Sequence, residues 1–373
     1  MILLIDTVRG PNEHMTLNTS ILKSLDTNNE EISFMTTFDY WRSFDGDLRS
    51  GINHYEVKRL NHGPVNTIKT LLLTFKILVL NNKYECVIFL SSLTYNSLFC
   101  ALLQKLGLCK KKLIIFLHET SYLDISKSFS IKIASRALSM ALKMGLNKKS
   151  YFIIIGDYIK KELYKKINLS KNSLIALDHP LDVSEVYTIK RPNRPLKLAS
   201  IGVQNKEKNA DYFLDLAKIS KKSILKQEVV FSTIGRLEID FDHLDIVQHY
   251  SLNYDDYLIP FEIYEELILE QDYLLFFYGE AYNLKTSGCL LDAIKYQKPL
   301  IALHSNITNY YLEKYGDIGY LCNSLEEMNS LIESLTKNRN EDEYLEMVQK
   351  IKQVKDSLNI DSFKKELNEI IGY

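Results

Sequence analysis

Short apolar runs alternate with longer amphipathic stretches from the first residue of this chain. Ile2 to Ile5 reads as a buried strand, Met15 to Leu25 as a helix and Glu31 to Thr37 as a second strand. Val57 to Leu60 is a further candidate strand, Thr67 to Leu80 a helix, Cys86 to Leu90 a strand, and Leu98 to Leu106 a helix stopped by Gly107. Leu113 to Leu117 is a strand running into His118, Glu119 and Thr120, and Tyr151 to Ile155 leads to an amphipathic helix at Tyr158 to Lys166. Three of the seven prolines fall between positions 180 and 195, which marks a linker. Beyond it the alternation restarts: strand Leu196 to Ile201, loop Gly202 to Asn209, helix Asp211 to Ile219, strands Glu228 to Ile234 and Ile246 to Tyr250, then helix Ile263 to Glu270. The tail from Leu325 is helical. Strand-then-helix alternation predicts parallel sheets covered on both faces, with ligands beyond the carboxyl ends of the strands.

The stretch from Gln271 to Leu303 carries the clearest chemistry. It reads as a buried strand (Tyr273 to Tyr278), a polar loop (Gly279 to Thr286), a helix opening at Ser287 and Gly288, and a second buried strand (Pro299 to Leu303). Ser287 is a good N-cap, and Gly288 lets backbone N–H groups approach a ligand closely, so this helix start suits a phosphate or diphosphate. Asp292, one turn in, could accept the two hydroxyls of a ribose. The plainer alternative is that Ser287 only caps and Asp292 only complements the helix dipole.

Composition narrows the class. At 373 residues two domains are expected, and the 46% hydrophobic and 25% charged fractions are those of a soluble globular protein. A net charge of -1 provides no global field for nucleic acid, and no nucleic-acid partner is expected. Five cysteines without CxxC spacing argue for a reducing compartment and against a zinc site. The start MILLIDTV lacks a basic n-region, and the most apolar run, Leu71 to Leu80, is half the length of a membrane span, so a cytoplasmic protein is expected.

Two such halves joined near Pro180 resemble a GT-B glycosyltransferase of the family-four, group-one type. Gly202-Val-Gln-Asn-Lys-Glu-Lys208-Asn209 is similar to that family's G-R-x4-K-G loop, and Ser287-Gly-Cys-Leu-Leu-Asp292-Ala293 through Lys298-Pro299-Leu-Ile301 resembles its S-x4-E-A-x3-G-x-P-V-I segment. The resemblance implies a fold of two Rossmann-like domains with parallel sheets facing across a cleft. The boundaries expected are 1–185 for the acceptor side and 186–373 for the nucleotide sugar, with a C-terminal helix able to pack back on the first domain. It implies donor binding by Gly202, Lys208, Ser287, Gly288 and Asp292, with Gly10 offering backbone N–H groups to the same diphosphate. His118 resembles the family's cleft histidine, and Glu119 is the alternative base. Transfer from a nucleotide sugar to a glycan or lipid-linked acceptor follows, retaining rather than inverting, with no metal and no cofactor, in bacterial surface polysaccharide synthesis.

The chain departs from the pattern in places. Val203 replaces the arginine, Asn209 the second glycine, and Leu284 stands where the first acid of the E-x7-E pair would be, with Glu280 out of register. A catalytically silent binding subunit, or a nucleotide-sugar epimerase on the same fold, would also suit that loss. Asp45-Gly46-Asp47 spells a D-x-D motif but reads as a turn. Between Ile125 and Tyr151 lie six basic residues and no acid; Lys132, Arg136 and Lys143 share one helical face. That segment, 125–149, could rest on an anionic membrane at the inner face of the cell, or be an ordinary surface helix.

Overall fold

A computed structural model of the chain describes residues 1–10, 13–25, 31–60, 63–118, 120–123, 128–169, 173–183, 185, 187, 194–239, 246–250, 259–338 and 340–372. They divide into two compact units, Met1–Pro180 with Leu358–Tyr373, and Leu181–Ser357.

The first unit holds strands β1 (Ile2–Asp6), β2 (Ile32–Thr36), β3 (Ile52–Glu56), β4 (Cys86–Phe89), β5 (Lys112–Phe116), β6 (Tyr151–Ile155) and β7 (Leu174–Leu177). They form one sheet in the order β3-β2-β1-β4-β5-β6-β7, and every pair is parallel. The central strands are apolar on both faces because helices cover both, as parallel sheets require. The C-terminal helix Ile360–Ile371 belongs to this unit and adds Phe363, Leu367 and Ile371 to a core with Leu17, Ile21 and Phe34.

The second unit holds β8 (Leu196–Ile201), β9 (Val229–Ile234), β10 (Val247–Tyr250), β11 (Tyr273–Phe276), β12 (Leu300–Leu303) and β13 (Gly319–Cys322), again all parallel, in the order β10-β9-β8-β11-β12-β13. Its core gathers Phe213, Phe231, Leu275, Ile301 and Met328. Parallel α/β organisation in both halves is therefore the architecture that the alternation predicts.

Val57 to Leu60 is not a strand. The third strand is Ile52–Glu56, where only Ile52 is buried. It is an edge strand, and an edge facing solvent carries no apolar run for periodicity to detect. β7 (Leu-Ile-Ala-Leu) and β13 (Gly-Tyr-Leu-Cys) are also edge strands absent from the sequence reading, although they are apolar; each is only four residues long. The predicted helix Thr67 to Leu80 starts earlier, at Pro64 behind Gly63, and its last five residues, Lys76–Leu80, widen into a π turn.

Candidate functional site

In the second sheet the strand order reverses between β8 and β11, so the loops leaving these two strands open a crevice at their carboxyl ends. Gly202, the residue after β8, has φ 76°, and a Cβ there would collide with Cys289 Sγ and Lys208 Nζ. The left-handed backbone favours glycine here, and a methyl would also displace the two side chains. The loop continues into a short turn, Lys206–Lys208, capped by the Asn205 side chain, which accepts from Lys208 N at 3.1 Å. Lys208 Nζ then reaches back over the strand end, donating to Ile201 O (3.0 Å) and Cys289 Sγ (3.0 Å). Asn209, at φ 51°, adopts the left-handed conformation a second glycine would give, and its amide donates to Phe277 O at 2.7 Å, tying the loop to the end of β11. The departure from glycine thus adds a bond instead of breaking the turn.

The helix Gly288–Lys295 starts in the same crevice. Ser287 caps it, accepting from Leu290 N at 3.3 Å, and its hydroxyl is also bonded to Tyr278 Oη. The side chain of Ser287 is thus committed to the protein, and what this helix end offers is the first-turn N–H groups of Gly288 and Cys289. A Cβ on Gly288 would meet no atom within 4 Å. Asp292 lies half-buried one turn on and accepts a hydrogen bond from Tyr264 Oη at 3.0 Å. Burial pushes its carboxyl up to about 6, and the Tyr264 bond and the charges of Lys295 and Lys208 restrain the rise. Burial likewise raises the Cys289 thiol, against the pull of the Lys208 ammonium. Gly202, Lys208, Gly288 and Asp292 are thus brought together in one crevice of one unit.

In the first unit the corresponding edge is polar and dense. Asp6 ends β1 fully buried and accepts from the N–H groups of Val8 and Arg9 (3.2 and 3.1 Å), from Ser91 Oγ (3.1 Å) and from Asn18 Nδ2 (3.3 Å). Burial raises its carboxyl all the same. His118, after β5, donates from Nε2 to Leu90 O (2.8 Å); a carbonyl only accepts, so Nε2 carries the proton and Nδ1 is the ring's acceptor. Its ring lies 4.3 Å from that of His14, and burial followed by the charges of His14 and Arg9 holds its pKa well below the usual histidine range. Gly10 is buried beneath the guanidinium of Arg59, so Arg59 and not the Gly10 backbone covers this spot. Glu119 lies outside the described residues. The Asp45-Gly46-Asp47 motif is a helix cap, with Asp45 accepting from Asp47 N at 2.9 Å. Among the described residues no group of three His, Cys, Asp or Glu could hold a metal ion, and no helix is long and apolar enough to cross a membrane.

No family model and no curated protein matches the chain. Solved structures do. WaaG, a glycosyltransferase involved in lipopolysaccharide biosynthesis, superposes with a TM-score of 0.64 at 13% identity, covering 100% of this chain and 99% of its own. The lipopolysaccharide outer core galactosyltransferase WaaB gives 0.63 at 15%, covering 99% and 98%. HepE from Anabaena, in complex with UDP-glucose, gives 0.61 at 10%, covering 100% and 99%. The chain has the GT-B fold.

Within the GT-B fold, the position eight residues before Asp292 is occupied by Leu284, which is fully buried and belongs to the packing, while Glu280 is exposed in a short turn. Sequence reasoning passes over three residues that build the GT-B crevice. Tyr264 holds Asp292, Cys289 bridges Lys208 to the helix start, and Gly235, at φ 136°, lies so close to Gly202 that a Cβ would strike its backbone. A glycine directly after β9, level with Gly202, is the signal that could have found the last.

Proposed function

We propose that this chain is a glycosyltransferase that moves a sugar from a nucleotide-sugar donor to a glycan or lipid-linked glycan, in surface polysaccharide synthesis. The observation that carries it is the crevice of the second unit, where the Lys208 ammonium, the start of helix Gly288–Lys295 and the Asp292 carboxyl converge. A departing nucleoside diphosphate needs its growing negative charge stabilised, and a lysine with a helix N-terminus does so without a metal. Asp292 faces the ribose. In the first unit His118, whose Nε2 is used on Leu90 O, keeps Nδ1 as an acceptor for a hydroxyl. The fold neighbours include a structure with UDP-glucose bound, which supports a nucleotide-sugar donor.

A thermal-shift panel of UDP, GDP, ADP and CMP tests the donor reading. One nucleoside diphosphate at a hundredfold excess over its Kd is expected to raise Tm by roughly 5 °C, and Asp292→Ala to weaken its affinity about 10- to 100-fold. Silence from every nucleotide at millimolar concentration would overturn it. The packed Leu284 favours a second reading, a GT-B binding subunit without turnover. Release of free nucleoside diphosphate in the presence of acceptor separates the two.

The partner side of the proposal includes an anionic membrane. Helix Phe129–Met144 turns outward Phe129, Lys132, Ile133, Arg136, Met140 and Lys143, and helix Pro64–Phe75 with the turn after it exposes Val65, Ile68, Lys69, Leu72 and Lys76. Residues 57–156 contain fifteen Lys and Arg against three Asp and Glu, in a chain of net charge -1. Such faces combine apolar insertion with attraction to anionic lipid. Vesicles of phosphatidylcholine with 30% phosphatidylglycerol are expected to sediment the protein at low salt, pure phosphatidylcholine not. Lys132→Glu with Lys143→Glu should weaken the interaction at least about tenfold. Equal sedimentation with both vesicle types would remove the membrane from the proposal.

A further inference from the structure

The acid in the crevice is an aspartate, one methylene shorter than the glutamate of the pattern it resembles, and it is not alone. Tyr264 comes from a different element, helix Phe261–Leu269, and its hydroxyl donates to Asp292 Oδ2 at 3.0 Å. Among the described residues no hydrogen bond reaches Asp292 Oδ1, and that atom is not sealed from solvent. A phenol that donates its one proton keeps two lone pairs for accepting. The bonded pair therefore presents two acceptor oxygens, Asp292 Oδ1 and Tyr264 Oη, held in fixed relation by a bond between two helices.

Resting on the donor reading above, we propose that Tyr264 and Asp292 act as one ribose-reading unit, in which Tyr264 accepts one of the two sugar hydroxyls and, through its hydrogen bond, holds the Asp292 carboxylate in place to accept the other. Two hydroxyls of a vicinal diol need two acceptors, and the phenol supplies the reach that the shorter acid lacks. The second half of the role is electrostatic. In this half-buried place burial works against the charged carboxylate, and the phenol's hydrogen bond is the first force opposing it, ahead of Lys295 on the same helix and Lys208 on the turn Lys206–Lys208. The remaining groups that sense it, the Cys289 thiol and the phenols of Tyr264 and Tyr296, are all pushed up by burial, away from neutral pH. Between pH 5 and 8 the titration of this pocket is thus that of Asp292.

Titration calorimetry from pH 5 to 8.5 with UDP-glucose, UDP-galactose and GDP-mannose tests the proposal, since the diphosphate of a sugar nucleotide gains no proton in this range. For whichever sugar nucleotide binds, wild-type affinity is expected to be constant above pH 7 and to fall as pH drops through about 6, where the carboxyl protonates. Tyr264→Phe should move that midpoint up by about one pH unit, the worth of one hydrogen bond to a charged acceptor. It should also shrink the preference for the ribose over the 2′-deoxyribose form of the ligand. Asp292→Asn should bind weakly with a flat profile. A Tyr264→Phe profile that superimposes on the wild type, with unchanged deoxy discrimination, overturns the pairing and leaves the donor reading standing. Failure of all three sugar nucleotides to bind the wild type at any pH, together with silence of the whole nucleotide panel, overturns the donor reading and the pairing with it.

Discussion

Lys208→Met is expected to lower the rate constant of sugar transfer about 10²- to 10³-fold, the loss typical of removing one preorganised group that faces developing negative charge. Two of the three ammonium protons are used inside the protein, on Ile201 O and Cys289 Sγ. The third has no acceptor among the described residues, and the ammonium is anchored at both sides so that it costs no reorganisation when a diphosphate begins to leave. Methionine retains the apolar stem, so the cost in stability is that of the two lost hydrogen bonds, on the order of 2 kcal/mol. Because the charge acts most strongly on the transition state, kcat should fall more than KM rises. Steady-state kinetics with donor and acceptor both varied checks this. A kcat within threefold of wild type in a folded variant would remove Lys208 from the reaction.

Gly235→Ala is expected to destabilise the second unit by about 3 kcal/mol. At φ 136° the backbone is in a region essentially closed to residues with a side chain, and the added methyl would meet the O, C and Cα atoms of Gly202. A side chain can rotate away from a methyl, but these are backbone atoms of the very loop that carries Lys208. Gly202 N is itself bonded to Ile234 O (2.7 Å) and Gly235 N to Tyr250 O (3.0 Å), so neither glycine can retreat without breaking the ladder extension that holds it. Urea denaturation reads the cost as a lower midpoint at unchanged slope. Gly288→Ala is the contrast. Its Cβ meets nothing, so stability should hold or rise slightly, by about 0.5 kcal/mol, while nucleotide affinity falls because the methyl stands over the helix N-terminus. A Gly235→Ala midpoint equal to that of wild type would show that the two loops can separate freely.

Much of the candidate site was legible because its signals are local. Ser287 before Gly288, Asp292 one turn later and Lys208 at a fixed offset from Gly202 are spacings along single elements, and the structure brings those elements to one sheet edge. What the spacing left open was the use of each side chain. Ser287 spends its hydroxyl on Leu290 N and Tyr278, and Gly10 lies under Arg59, so backbone amides in one case and a guanidinium in the other face outward. Tyr264 was out of reach of such reasoning, since it lies 28 positions from Asp292 and belongs to the preceding helix.

The sequence by itself determined two parallel α/β halves and the order of their central elements, because strands buried on both faces must be continuously apolar and the helices between them amphipathic. Edge strands β3, β7 and β13 escaped it, β3 because four of its five residues are not buried and β7 and β13 because a four-residue apolar run is too short to be told from a loop. The sequence left a C-terminal helix able to pack back on the first domain; which core Ile360–Ile371 meets there was decided only by the tertiary structure, which gathers Phe363 and Leu367 with Leu17 and Ile21, more than 300 residues upstream. It alone decided as well that Asp292 has a phenol for a neighbour, Lys208 a thiol and Gly202 a second glycine. These contacts join residues from separate βα units, and pairing across units depends on strand order, which hydrophobic periodicity does not encode.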